Sequence, residues 1–101
     1  MVNEILPQDV GEKVYTETLR SAIREAFEIL KPDLVGVSAG FDTLSGDLAS
    51  LGLVPESYWK IGKIIGKLNK PVFAVLEGGY TELLGLCIHN FIQGLLGENL
   101  P

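Results

Sequence analysis

The chain alternates between segments with a helical hydrophobic period and short runs that are apolar throughout. From Glu12 to Leu30 the apolar residues recur at spacings of three and four, as on one face of an α-helix. Lys31-Pro32 predicts the end of this helix, because the residue before a proline avoids the α region. The predicted apolar stripe consists of Val14, Tyr15, Leu19, Ala22, Ile23, Ala26, Phe27, Ile29 and Leu30.

Two further helices are predicted. One begins at Pro55, which suits a first helical turn, and ends near Asn69-Lys70-Pro71. Val54 at its N-cap lacks a side-chain acceptor, so we expect a weak cap that costs about 1 kcal/mol relative to Ser or Thr. The predicted inner face consists of Tyr58, Ile61, Gly62, Ile65 and Leu68.

The last helix is predicted to be capped by Thr81 or a neighbouring residue and to reach Leu96, with Gly97 as a favourable C′ residue. Its apolar residues occupy more than one face of the helix. Such a helix is either deeply buried or in contact with another chain.

Residues 34–38 and 72–76 are short, continuous apolar runs, which favour strands covered on both faces. Residues 2–6 fit a short strand or an extended arm, and residues 40–52 fit a long loop of a kind that is often functional. Strands separated by helices indicate an α/β fold with parallel pairing and right-handed crossovers.

Composition limits the class of protein. The 101 residues suffice for a single domain, 1–101, and a net charge of −5 does not attract nucleic acid or an anionic membrane by its overall field. Cys87 is the only cysteine, so an internal disulfide is excluded. The sequence shows no secretory signal and no apolar stretch near the ~18 residues of a membrane helix, which favours a cytoplasmic protein.

Candidate chemistry lies where each predicted strand ends. Asp42 follows the first strand and Tyr80 follows the second, and the carboxyl ends of parallel strands usually line one crevice. There Asp42 would serve as a metal ligand and Tyr80 as an oxyanion donor. The alternatives are a turn former and a packed aromatic ring. Gly78-Gly79 permits a tight turn or close approach of a ligand, but neither standard nucleotide-binding glycine motif is present.

Three other residues are weaker candidates for a chemical role. Asp47 in Ser45-Gly46-Asp47 fits a turn, although it is the nearest candidate for a second carboxylate. His89 is the only histidine and fits a packing or interface position, while Cys87 fits a small buried side chain.

Several motifs together resemble the zinc-dependent deacetylases, a superfamily of histone deacetylases, acetoin-utilisation proteins and acetylpolyamine amidohydrolases. The motifs lie in one order over nearly the whole chain: L-P-Q-D-V-G-E-K-V-Y (6–15), K-P-D-L-V-G-V-S-A-G-F-D (31–42), S-G-D (45–47), P-E-S-Y (55–58) and F-A-V-L-E-G-G-Y (73–80). The resemblance implies a three-layer α/β sandwich with a parallel sheet, as in arginase and deacetylase folds, and with the active site at the carboxyl ends of the strands.

The resemblance also implies roles for individual residues. Asp42 matches a zinc-binding aspartate, Tyr80 matches the tyrosine that hydrogen-bonds the acetyl carbonyl and its oxyanion, and Gly78 and Gly79 match the wall of the substrate channel. The family's adjacent histidines and its Asp-x-His zinc ligands have no counterpart in this sequence. Leu48 also stands where many relatives have proline.

We therefore expect the C-terminal part of a deacetylase that hydrolyses acetyl-amides such as acetyl-lysine or acetylpolyamine. The complete site would use Zn²⁺, whereas this chain alone would be inactive and would bind zinc weakly or not at all. The alternative is a non-enzymatic oligomeric α/β module derived from the same family. The expected partners are an acetylated amine substrate and either further copies of the chain or a complementary N-terminal piece, with no nucleic acid and no membrane.

Overall fold

The predicted alternation of helices and strands is confirmed in a computed structural model, which describes residues 3–47 and 50–100. The elements are α1 (Glu12–Leu30), β1 (Val35–Ala39), α2 (Pro55–Gly66), β2 (Val72–Leu76) and α3 (Leu84–Leu95). Residues 3–6 have no regular structure, so they form no strand, and Val2 and Leu48 lie outside the described residues. None of the helices described is long and apolar enough to cross a membrane.

The two strands pair in parallel, as the strand–helix–strand order predicts. Val35 lies opposite Val72 and Ala39 lies opposite Leu76, and α2 forms the crossover between the strands. The Val35 amide also donates to the Pro71 carbonyl at 2.9 Å, which fixes the start of the ladder. The pairing register is therefore set from its first residue.

One face of the sheet is covered and the other is open. Val35, Val37 and Ala39 point toward the helices and join the core, whereas Phe73 and Val75 are 54% and 52% exposed. The expectation of strands covered on both faces is wrong for the described chain, because the helices leave one face open and also leave Ala74 and Leu76 of β2 exposed. Phe73 instead lies across Gly36, where a Cβ atom would come within 2.6 Å of the ring.

The core lies between the covered face of the sheet and the helices. Phe41, Tyr58 and Phe91 pack together, with ring centroids 5.2 Å apart for the first pair and 5.9 Å for Phe41 and Phe91. Tyr15, Leu19 and Ile23 bring α1 onto this cluster, and the rest of the buried apolar set is Ala39, Leu44, Leu53, Ile61, Ile65 and Cys87.

Helices α2 and α3 approach one another at backbone distance through glycines. A side chain at Gly94 would overlap the backbone of Trp59 and come within 2.8 Å of the Lys63 nitrogen, and Gly62 lies equally close to α3. The contact is reinforced where Asn90 Nδ2 donates to the Pro55 carbonyl at 2.9 Å. The first predicted alternative for α3, deep burial, is wrong, since one face packs on α2 while Leu86 and Ile92 are each 47% exposed. The second alternative, contact with another chain, stays a prediction.

At the two ends of α3, one of the predicted caps is absent and the other is present. Thr81 does not cap α3, whose N-cap is Leu83; the Thr81 hydroxyl instead accepts the Leu83 amide at 3.3 Å. At the other end Gly97 adopts φ 74° at C′, as predicted, and the Gly97 and Glu98 amides donate to the carbonyls of Gly94 and Gln93.

The weak Val54 cap is offset by a network that also holds α1. The Val54 amide donates to Ser57 Oγ at 3.0 Å, and Ser57 Oγ donates to Glu12 Oε1 at 2.8 Å. Lys60 completes the network through an ion pair with Glu12. The Lys60 ammonium beside Glu12 holds the pKa of this carboxyl below its ordinary value.

Substituting Gly94 tests the close contact of α2 with α3. Gly94→Ala should lower the free energy of unfolding by about 2 kcal/mol or more, because backbone atoms cannot yield as a side chain can. Gly85→Ala is the matched control: a Cβ there meets nothing within 4 Å, and alanine should stabilise the helix by about 0.5–1 kcal/mol. Urea denaturation measures both, and equal effects would contradict the proposed contact.

Replacing Glu12 tests the network at the start of α2. Because folding lowers the Glu12 pKa, its contribution is present above about pH 4.5 and is lost as the pH falls through the folded pKa. Glu12→Gln should lower the free energy of unfolding by about 1 kcal/mol at pH 7 and by nearly nothing well below the folded pKa of Glu12. Glu25→Gln, at an exposed position of α1, is the control. A Glu12→Gln loss that is the same at pH 7 and pH 3 would exclude the charge as its cause.

Candidate functional site

The turns that follow the two strands remain hydrogen-bonded to each other beyond the sheet. The Glu77 amide donates to the Ala39 carbonyl at 2.9 Å, and the Phe41 amide donates to the Gly78 carbonyl at 2.8 Å. The parallel ladder thus continues by one step past each strand. As a result, Asp42 and Gly78 lie side by side at the carboxyl edge of the sheet.

The Asp42 carboxylate lies against the backbone of two glycines. A Cβ atom at Gly78 would come within 3.2 Å of Asp42 Cγ and Oδ2, and one at Gly40 would come within 3.2 Å of Oδ1. Asp42 itself is partly exposed. Glycine at both positions leaves space for the carboxylate and keeps it open to a ligand.

Gly79 lets the chain turn sharply after β2. Its φ is 145°, a conformation that L side chains rarely adopt, and a Cβ there would come within 3.0 Å of the Phe41 Cβ. Of the two glycines predicted to form a channel wall, Gly78 lies beside Asp42, whereas Gly79 lies against Phe41 and Leu84. Whether they contact a substrate remains a prediction.

Tyr80 projects from this turn into solvent, with 69% of its surface exposed. Its position is fixed from the loop between β1 and α2, where Asp47 Oδ2 accepts the Tyr80 amide at 2.8 Å. The Asp47 amide in turn donates to the Leu44 carbonyl at 3.0 Å, so Asp47 is a turn residue, as the sequence predicted. Its second role, as the anchor of Tyr80, had no signal in the sequence.

The loop that contains Asp42 and Asp47 is itself packed into the core. Leu44 and Leu53 are 3% and 0% exposed and form a parallel bridge. Thr43 Oγ1 lies 2.9 Å from the Tyr58 hydroxyl. Burial raises the pKa of the Tyr58 phenol, so this hydroxyl stays neutral and serves as a hydrogen-bond partner of the loop.

The loop is also tied to the segment before α1. The Gly11 amide donates to the Leu51 carbonyl at 2.8 Å, and the Ser50 hydroxyl donates to the Asp9 carboxylate. The prediction of a long loop at 40–52 is therefore confirmed in position for its described residues. The loop is, however, an ordered framework, in which Asp47 accepts the Tyr80 amide and Asp42 lies beside Gly78.

The described residues do not complete a zinc site. Within residues 3–47 and 50–100, no group of three or more His, Cys, Asp or Glu side chains converges in a way that could hold a metal ion. His89 is exposed on α3, and Cys87 is fully buried in the core, where burial raises the pKa of its thiol. A catalytic zinc usually takes three protein ligands, and the role of Asp42 as one of them stays a prediction.

The comparison with known families identifies the chain by its sequence. Residues 1–95 match the model of the histone deacetylase domain. A probable deacetylase of Methanothermobacter thermautotrophicus is 38% identical over 90 residues, which cover 87% of this chain and 27% of the relative. Histone deacetylase 15 of Arabidopsis thaliana is 32% identical over 93 residues, covering 89% of this chain and 17% of that protein.

The comparison of structures gives the same family. The crystal structure of the acetylpolyamine aminohydrolase from Burkholderia pseudomallei superposes with a TM-score of 0.83 and 30% identity, covering 92% of this chain and 28% of that one. The predicted arginase/deacetylase-like α/β fold is thus confirmed, as is the prediction that the chain contains only part of it. The chain spans 28% or less of the length of these three proteins.

Replacing Asp47 tests how Tyr80 is positioned. Asp47→Ala removes the acceptor of the Tyr80 amide, so this amide should exchange with solvent deuterium about fivefold faster, corresponding to a lost hydrogen bond of about 1 kcal/mol. Ser38→Ala is the control, because it removes the exposed bond from Ser38 to Glu77 at the same edge of the sheet. Equal exchange of the Tyr80 amide in both variants would show that Asp47 does not hold it.

Proposed function

The chain belongs to the histone deacetylase domain family, and from this membership we propose that it forms the C-terminal part of an acetyl-amide hydrolase site. The reaction is the hydrolysis of an acetylated amine to acetate and the free amine. Two kinds of acetylated amine fit the names of its relatives: acetyl-lysine, for the histone deacetylases, and acetylpolyamine, for the aminohydrolase. The described residues do not distinguish between these two kinds of substrate.

The observation that supports this proposal best is the hydrogen-bonded junction of the two turns. It keeps Asp42 beside Gly78, two residues before Tyr80, at the carboxyl edge of a parallel sheet. This edge is where open α/β folds bind their ligands. A single carboxylate and a single phenol in that place are what the family resemblance assigns to one reaction centre.

In the proposed site Tyr80 is the catalytic residue. Its phenol donates a hydrogen bond to the acetyl oxygen, on which negative charge develops as the amide carbon becomes tetrahedral. Such a donor acts on the transition state more strongly than on the substrate, and its loss typically costs about 10²–10³ in rate. The anchoring of the Tyr80 amide by Asp47 favours this function, because it limits the movement of the residue.

In this proposal Asp42 is one ligand of the zinc ion that the complete site would hold. Its carboxylate is partly exposed and bordered by glycines, which leaves room for a cation. The remaining ligands and the general base must come from outside the described residues. By itself the chain should therefore neither hold zinc tightly nor hydrolyse an acetyl-amide.

A hybrid enzyme tests this assignment. The chain would replace the matched 28% of the Burkholderia pseudomallei aminohydrolase, whose remaining residues would supply the rest of the site. We expect the hybrid to hydrolyse an acetylated polyamine. Tyr80→Phe should lower kcat by about 10²–10³ with little change in KM, and Asp42→Ala should abolish both turnover and stoichiometric zinc.

Controls separate a failed assembly from a failed assignment. Tyr15→Phe removes a phenol in the core, outside the proposed site, and should leave kcat within about twofold. A folded hybrid in which Tyr80→Phe leaves kcat unchanged would refute the role of Tyr80. Turnover by the isolated chain with added zinc would refute the need for outside residues.

A second candidate function is a non-enzymatic oligomer, favoured by one specific observation. The open face of the sheet exposes Phe73 and Val75, and α3 exposes Leu86 and Ile92. Apolar surfaces of this kind are typical of association sites. Light scattering that shows a dimer or larger assembly, abolished by Val75→Lys, would support this function; a monomer at all concentrations would exclude it.

A further inference from the structure

A groove between α1 and α2 concentrates the positive charge of an acidic chain. Five side chains along it are cationic, out of the eight Lys and Arg of the whole sequence, although the net charge is −5. We call this feature the α1–α2 groove. Its cationic residues are Arg20, Arg24, Lys60, Lys63 and Lys67.

Apolar side chains form the floor of the α1–α2 groove. The floor residues are partly exposed, and the cavity above them has a volume of about 580 Å³. That volume lies in the range of ligand pockets, and an apolar floor with charged walls suits an amphipathic occupant. The floor consists of Ile23, Phe27, Trp59, Ile64 and Leu68.

Most of the charge in the groove is available to a ligand. Lys60 is paired with Glu12, and the Lys63 ammonium lies 4.5 Å from the centre of the Trp59 ring. In the described part of the chain, the structure gives Arg20, Arg24 and Lys67 no carboxylate partner. These three side chains are exposed, so a bound carboxylate can reach them.

We propose that the α1–α2 groove binds an acidic amphipathic helix of a partner protein. The apolar face of that helix would lie on the floor, and its carboxylates would lie beside the arginines of α1 and Lys67 of α2. Docking of a helix in a groove commonly uses anchors at i, i+3, i+4 and i+7. This inference does not depend on the deacetylase assignment.

The dimensions of the groove favour a helix of two to three turns. The floor and walls on α1 extend from Arg20 to Phe27, seven residue steps, which correspond to about 10 Å at 1.5 Å per residue. The same distance separates anchors i and i+7 of a docked helix. A long polyanion such as nucleic acid is disfavoured, because beyond the groove it meets a chain of net charge −5.

The only tryptophan of the chain reports directly on this groove. Trp59 lies in the floor, and its indole nitrogen donates to the Glu98 carbonyl at 2.8 Å, which fixes the ring. The probe is a synthetic 15-residue helical peptide with leucines at i, i+3, i+4 and i+7 and glutamates elsewhere. Its binding should shift the Trp59 emission to shorter wavelength, saturably, and should weaken as salt is raised.

Matched charge reversals make the test specific. Arg24→Glu combined with Lys67→Glu should weaken peptide binding about tenfold or more, since two attractions become repulsions. Lys13→Glu combined with Lys70→Glu changes the net charge equally at exposed positions away from the groove, and should change affinity by less than about twofold. Circular dichroism verifies that both double variants are folded.

Three outcomes would overturn the proposal. Equal binding of a peptide with lysines in place of the glutamates would show that charge does not select the occupant. Equal weakening by the two double variants would show an effect of net charge alone. Saturable binding of dodecanoate, with no shift produced by the acidic peptide, would assign the groove to a small amphipathic anion.

Discussion

The parallel ladder between β1 and β2, extended by one hydrogen bond on each side into the following turns, determines the geometry of the rest of the site. The bonds from the Glu77 amide to Ala39 and from the Phe41 amide to Gly78 keep two turns in register although they are far apart in the sequence. A slip of one residue would move every strand side chain to the opposite face and separate Asp42 from Gly78. The core depends on the same register, because it places Val35, Val37 and Ala39 toward the helices.

The remaining framework depends mainly on close packing. Gly62 and Gly94 allow α2 and α3 to touch along their backbones, and the aromatic cluster of Phe41, Tyr58 and Phe91 joins this pair to the turn after β1. Helix α1 is held at its first residue by the ion pair of Glu12 with Lys60, and Tyr15 and Leu19 pack it on the core. The α1–α2 groove lies between these two helices and is open to solvent.

One face of the two-stranded sheet is open among the described residues. Phe73 and Val75 lie on this face, and no described element covers them. Apolar side chains grouped on one exposed face are typical of surfaces that pack against further protein. The chain spans 28% or less of the length of the three relatives compared.

The sequence by itself determined the helix at 12–30, the start of the next helix at Pro55, both strands to within one residue and the family, because hydrophobic period, proline positions and ordered motifs are local signals. It placed Asp42 and Tyr80 at strand ends for the same reason. It placed the end of the second helix near Asn69, whereas this helix ends at Gly66. Only the tertiary structure decided that Asp47 anchors Tyr80, that Ser57 and Glu12 compensate for a valine cap, and that one sheet face stays open. The two hydrogen bonds join residues 33 and 45 positions apart, and the exposure of a sheet face depends on which elements pack on it, so no local pattern encodes either.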